Sequence, residues 1–225
     1  MENFDNKYTN DYFIGRNLND LNRNECFYSE SKFLKKYTDL NGIVCDVGCS
    51  TGEFLSSIGW AGDKYGMEVN DFAIQMAEER SINFSKNILN VDEFFDLVIF
   101  RGTIQHLPSP FEYISRAYDA LKPGGLIVFL ATPNANSLCY KLFNTVPALD
   151  DKLNFYIPSD ISLSNILNNI GFRVLEIERP YFNSPYANLL KDHLMFFSRF
   201  IFKRKKFNNK FPFWGNMMNL IAVKA

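Results

Sequence analysis

The chain of 225 residues sets 24 Lys and Arg against 25 Asp and Glu, a net charge of −1, and 47% of it is hydrophobic. That balance excludes a protein whose whole surface traps nucleic acid, and the apolar share excludes a wholly disordered chain. The length suits one domain with a sizeable core. Cys26, Cys45, Cys49 and Cys139 lack the paired spacing of a zinc site, no signal peptide precedes them, and no apolar run is long enough to span a membrane. A cytoplasmic protein with reduced thiols is expected.

In chain order, residues 1–25 form a polar, Asn-rich arm whose only apolar cluster is Tyr8, Tyr12, Phe13 and Ile14. Phe27, Phe33, Leu34 and Tyr37 share one face of a helix predicted over 26–38, which Asn41-Gly42 ends. A strand at 43–47 runs through a glycine turn into a helix at 52–59. A second strand (64–69) and helix (71–80) follow, then a weak strand at 82–85 and a strong one, FDLVIF, at 95–100. The helix at 110–121 ends on Lys122-Pro123-Gly124-Gly125, before a strand at 126–131. A helix at 163–170 capped by Gly171 leads to a strand at 172–177. An aromatic segment, 181–213, separates this from a last strand at 220–224. Strands alternating with helices predict right-handed βαβ units, an α/β fold with a parallel sheet covered by helices on both faces. The expected organisation is one domain, 1–225: an arm and helix (1–40) over a ligand site, a core (41–180), an insertion (181–213) and a closing strand (214–225).

The densest signal is VCDVGCSTGEFL, residues 44–55. A buried strand delivers Asp46 to a loop bracketed by Gly48 and Gly52, just ahead of a helix N-terminus. Glycines there let the backbone approach a ligand, and the first helical N–H groups point at it. The spacing is neither the G-x-G-x-x-G of a dinucleotide fold nor a P-loop. Glu68, closing the second strand in YGMEVN, is placed to accept both hydroxyls of a ribose.

In this order and spacing, VCDVGCSTGEFL, YGMEVN, FDLVIFRGTIQHLPSP and LKPGGLIVFLATPN resemble the class I S-adenosylmethionine-dependent methyltransferases, over residues 40–180. The resemblance implies a Rossmann-like, seven-stranded sheet with a reversed hairpin at its C-terminal edge, S-adenosylmethionine as cofactor and S-adenosylhomocysteine as product. It places Asp46, Gly48, Cys49 and Gly52 at the methionine and ribose, Glu68 on the ribose hydroxyls, and Met67 and Val69 against the adenine. Asn87 and Ile88 fall at the adenine edge, and Arg101 and Gly102 at the methionine through backbone carbonyls. Ser50 stands where many members have Gly.

Methyl transfer is a displacement that asks chiefly for alignment, and an alcohol acceptor also asks for a base. His106, just beyond the fourth strand in QHLPSP, is the candidate base, with a turn-capping role as the alternative. Gln105 stands where some relatives place a metal-binding Glu, so no metal is expected. On the acceptor side Tyr12, Asn154, Tyr156, Tyr181 and His193 are candidates. The segment 185–213 gathers seven Phe, with basic residues from Arg199 on. A lid or dimer contact is expected there, with peripheral membrane contact through 195–206 as the alternative and nucleic acid disfavoured. The closing FPFWGNMMNLIAVKA is similar to the ends of small methyltransferases found with bacterial surface-polysaccharide genes. That likeness implies O-methylation of a sugar hydroxyl, free or phosphate- or nucleotide-linked, in capsule or lipopolysaccharide biosynthesis, by a monomer or homodimer. A quinone-like or other O, N or C acceptor, or a non-catalytic cofactor-binding scaffold, are the alternatives.

Overall fold

The computed structural model describes residues 10, 13, 21–84, 88–146, 154–181, 187–202 and 215–225. Among them, α1 (Leu21–Leu34) precedes β1 (Ile43–Val47), α2 (Glu53–Ser57), β2 (Asp63–Met67), α3 (Asp71–Glu78), β3 (Asn83–Phe84) and β4 (Phe95–Arg101). A single 3₁₀ turn, Ile104–His106, then leads to α4 (Pro110–Ala120), β5 (Leu121–Pro133), α5 (Leu138–Phe143), α6 (Asp160–Ile170), β6 (Phe172–Glu178), α7 (Leu189–Phe202) and β7 (Met217–Lys224). The seven strands lie in the order β3-β2-β1-β4-β5-β7-β6. β7 runs antiparallel to both its neighbours, and the other pairs are parallel. This is the Rossmann-like sheet expected, with its reversed hairpin at the β6 edge.

At the sheet centre the strands carry continuous apolar runs, Leu97–Phe100 in β4 and Leu126–Ala131 in β5, because both faces are covered. Alternation divides them: Cys45, Val98, Phe100, Ile127 and Phe129 pack with Ile114, Leu163 and Leu167 on one side. Val44, Leu97, Ile99, Val128 and Leu130 pack with Phe27, Leu34, Phe54 and Ala77 on the other. Phe100 stacks on Phe129 with ring centroids 5.2 Å apart, tying β4 to β5 at the sheet centre.

Several boundaries differ from the sequence reading. α1 begins at Leu21, five residues early, because its first turn is held by tertiary contacts such as Arg23 to Glu53 (2.6 Å). The Lys-Pro-Gly-Gly turn is a bulge inside β5: Leu121 pairs with Phe95 and Leu126 with Leu97, so residues 122–125 loop out of the ladder. α6 starts at Asp160, three residues early, on a capping box built from Ser159 and Ser162. α5 was not anticipated; its N-cap is Ser137, whose side chain accepts from Tyr140 N.

Candidate functional site

The carboxyl ends of β1, β2 and β4 face one cavity of about 170 Å³. Its floor is the loop after β1. Gly48 (φ +77°) and Ser50 (φ +55°) take the left-handed conformation there. A Cβ on Gly48 would sit 2.5 Å from Thr103 Cγ2, so only glycine lets the loop lie against the end of β4. The N–H groups of Gly48 and Cys49 both donate to Met67 O, at 2.7 and 3.2 Å, which clamps the loop to the end of β2. Gly52 lies behind the cavity rather than lining it; its positive φ turns the chain into α2 against Ile82.

Glu68 is held by three backbone donors: Ser50 N at 3.0 Å to one oxygen, Val69 N at 2.8 Å and Asn70 N at 3.2 Å to the other. A carboxylate so fixed keeps the remaining lone pairs aimed outward at fixed angles. Beside it Met67 and Val69 line the cavity, and Val69 is 62% exposed, an apolar surface open to solvent.

Asp46 is buried, and its Oδ1 has no partner among the described residues. Burial pushes its carboxyl up to about 7; the nearby Arg101 works against that rise, and Glu68 and Glu30 add to it. Two guanidiniums border the same space, and each already has a carboxylate. Arg101 Nε and NH2 reach Glu30 of α1 at 2.6 and 3.1 Å, and Arg23 reaches Glu53. Phe27 packs under Arg101, 4.5 Å from the guanidinium carbon to the ring centroid. Asp46 and Glu68 are thus the acids facing the cavity that hold no guanidinium, an electrostatic setting for a cationic ligand. Cys49 also lines the wall, but burial and the neighbouring Asp46 raise its thiol well above the ordinary range, so it stays neutral.

At the opposite end His106 follows β4 on the 3₁₀ turn, with Gly102, Leu107 and Tyr113 around it. The Gln105 amide donates to Gly102 O at 2.9 Å and lies 3.2 Å from His106 Nε2. The bond to the carbonyl orients the amide with its nitrogen towards the ring, so His106 Nε2 faces a donor and accepts from it. The Gln105 backbone carbonyl in turn accepts from Phe155 N at 2.9 Å, joining this turn to the segment before α6.

The structure gathers Asp46, Gly48, Cys49, Met67, Glu68, Val69, Arg101, Gly102 and His106 around one cavity. Of the arm, Phe13 lines it too, and Asn10 accepts from Asn70 Nδ2 at 3.3 Å. Other expected residues stand elsewhere. The Ile88 side chain is in the core beneath β4, where an apolar side chain is best placed. Tyr156 lies outside the wall with its hydroxyl 3.0 Å from Ser162 Oγ, within the capping box of α6, and Asn154 is also outside the wall. Tyr181 is buried against α7 and donates to Asp192 at 3.0 Å; burial, then that bond, push its phenol up to about 12. His193 Nδ1 lies 2.7 Å from Leu189 O on its own helix. Tyr12 and Asn87 lie outside the described residues. Sequence reasoning missed Glu30 and the Arg23–Glu53 pair. Arg101 carried the signal: an arginine closing a run of buried strand residues needs a carboxylate from another element. Among the described residues no group of three His, Cys, Asp or Glu side chains could hold a metal ion.

Comparison with known proteins agrees with this geometry. Residues 21–177 match the family model of the methyltransferase domain. The chain is 25% identical over 152 residues to the tRNA U34 carboxymethyltransferase of Desulfotalea psychrophila, covering 61% of this chain and 48% of that protein. It is 27% identical over 124 residues to the ubiquinone biosynthesis O-methyltransferase of Hydrogenovibrio crunogenus, covering 49% and 51%. The chain thus spans about half the length of these curated relatives. Its fold superimposes on that of an S-adenosylmethionine-dependent methyltransferase of Thermotoga maritima with a TM-score of 0.61, at 18% identity over 95% of this chain and 99% of the other. With the family model spanning most of the sequence and the strand order of that fold, the chain belongs to the methyltransferase domain family and has the class I S-adenosylmethionine-dependent fold.

Proposed function

We propose that this protein transfers a methyl group from S-adenosylmethionine to a hydroxyl of a small molecule. The observation that carries the reading is one cavity holding two differently prepared acids: Glu68, oriented by three N–H groups, and Asp46, buried with an unpaired oxygen. When bound, S-adenosylmethionine supplies an electrophilic methyl group on a positively charged sulfur. Glu68 accepts the two ribose hydroxyls, Val69 and Met67 cover the adenine, and Asp46 balances the positive charge of the methionine part. The Gly48 and Gly102 backbones admit the cofactor closely, because neither presents a side chain.

His106 holds the acceptor end. A lone pair on Nε2 is what a hydroxyl must meet to lose its proton, and Gln105 keeps that atom supplied with a donor until the acceptor replaces it. The O-methyltransferase relative supports oxygen as the acceptor atom. Within that class, the saccharide hydroxyl implied by the closing sequence is the acceptor we favour over a phenol.

Calorimetric titration with S-adenosylmethionine, followed by mass-shift screening of sugars, nucleotide sugars and quinol-like phenols, tests the reading. Binding heat reversed by S-adenosylhomocysteine, with a methyl mass gained by a sugar, is the expected result. Binding with no acceptor methylated returns the scaffold alternative, and absence of binding refutes the enzyme. His106→Ala should cut turnover while leaving cofactor affinity in place; unchanged turnover at every pH removes His106 as the base.

A further inference from the structure

The helix α7 is buried along one face and apolar along the opposite, exposed one. Asp192, Phe196 and Arg199, spaced four and three apart, turn inward. Phe196 packs in a satellite core with Cys139, Val146 and Tyr181, and Asp192 accepts from Tyr181 Oη and Asn188 N. On the side directly opposite, Leu190, Leu194, Phe197 and Ile201 form a straight stripe at helical spacing and are 73%, 62%, 55% and 67% exposed. A contiguous exposed apolar stripe of this kind marks a surface that a partner or a membrane covers. Among the described residues, none of this stripe lines the cavity at the ends of β1, β2 and β4.

Charge identifies what covers it. Asp192 is the last acidic residue of the whole sequence and is turned inward, so no carboxylate follows the stripe. Six basic residues do follow, four of them consecutive, Lys203-Arg204-Lys205-Lys206, immediately past the helix. The chain as a whole is balanced at −1, so this is a local concentration of positive charge. A straight apolar stripe about 16 Å long, continued in sequence by a cluster of cations and by no anion, is complementary to a negatively charged lipid surface: apolar side chains enter the acyl boundary while the bases meet the headgroups. No helix among the described residues is long and apolar enough to cross a membrane, which leaves attachment in the interfacial plane. We propose that the outward face of α7 docks the protein on an anionic membrane surface.

Co-sedimentation of the full chain with vesicles tests this directly, using phosphatidylcholine alone and phosphatidylcholine mixed with phosphatidylglycerol. The expected result is capture by the mixed vesicles only, released by high salt. Leu194→Gln, Phe197→Gln and Ile201→Gln together, all at exposed positions and therefore compatible with folding, should lower capture at least about tenfold. Replacing residues 203–206 with Gln should lower it similarly. Unchanged circular dichroism and unchanged binding of S-adenosylmethionine show that both variants are folded. The proposal is overturned by failure to bind either vesicle, by equal capture on neutral lipid, or by full capture of the triple variant. It is also overturned by a dimer in free solution that the triple variant converts to monomer without any vesicle binding, which gives the stripe to a second copy of the chain. Salt-sensitive retention on RNA with no vesicle binding overturns it as well.

Discussion

Asp46 makes the most quantitative prediction. Its carboxyl moves from an ordinary 3.8 to about 7 in the folded protein, with burial as the leading cause. The folded state therefore keeps the proton to higher pH than the unfolded chain does, and unfolding between those values releases it. Stability contributed by this group is complete below about 4 and is lost as pH rises to about 7. At about 1.4 kcal/mol per pH unit, the ionised Asp46 costs the cofactor-free protein about 4 kcal/mol above that window. Asp46→Asn cannot ionise. Urea unfolding of the two proteins without cofactor should therefore give a stability difference that grows in favour of the variant from about pH 4 to about pH 7 and is flat above it. A cationic cofactor repays the ionised acid. Wild-type affinity should tighten as pH rises towards neutrality, with a proton released on binding, seen as a calorimetric heat that depends on the buffer. The variant should lack both effects. A stability difference that does not change with pH, or proton release that survives in Asp46→Asn, would refute the reasoning.

The other predictions concern the same walls. Glu68→Gln keeps the shape but turns one acceptor oxygen into a donor facing backbone N–H groups, and should weaken cofactor binding by about 1–3 kcal/mol, measured by calorimetry; an unaltered dissociation constant places the ribose elsewhere. Glu30→Gln strips Arg101 of its carboxylate and should cost about 3–5 kcal/mol in urea unfolding. Glu30→Met with Arg101→Met should recover much of that, and a double variant no better than the single one would show that the ion pair does not set the cost. Gly48→Ala should lower thermal stability by about 1–3 kcal/mol, because its Cβ meets Thr103 and its φ is positive. Adding Thr103→Ala should return the overlap part and leave the backbone part.

What could be read in the sequence follows the range of the interactions. The β1 loop was legible because its requirements are local: Gly48 must tolerate positive φ, and it sits between a buried strand and a helix. Glu68 was legible for the same reason, being fixed by Ser50, Val69 and Asn70 at the strand end. β4 was legible because Leu97–Phe100 within FDLVIF are apolar at successive positions, as a strand covered on both faces requires. The Glu30–Arg101 pair was not, since 71 residues separate its partners and nothing in either neighbourhood names the other. α5 spans six residues, too few for a helical period to show. The hydroxyl partners of the expected acceptor-side tyrosines were not legible either. Tyr156 and Tyr181 each spend the hydroxyl on a neighbour in their own region, on Ser162 and Asp192, and a phenol so used gives no trace in sequence.

The place of β7 has a consequence for how the molecule is assembled. β6 and β7 are antiparallel neighbours, so everything between Glu178 and Met217 is the loop of one long hairpin. The entropy of closing such a loop grows only slowly with its length, about 0.6 kcal/mol for each doubling. The sheet is therefore nearly indifferent to what the hairpin carries, and α7 can be shortened, exchanged or transplanted while Leu126–Phe129 keep their partners on β7. The proposed membrane-docking face and the proposed methyl-transfer site are in this sense separate cassettes: one lies in the loop of a hairpin, the other at the far ends of β1, β2 and β4.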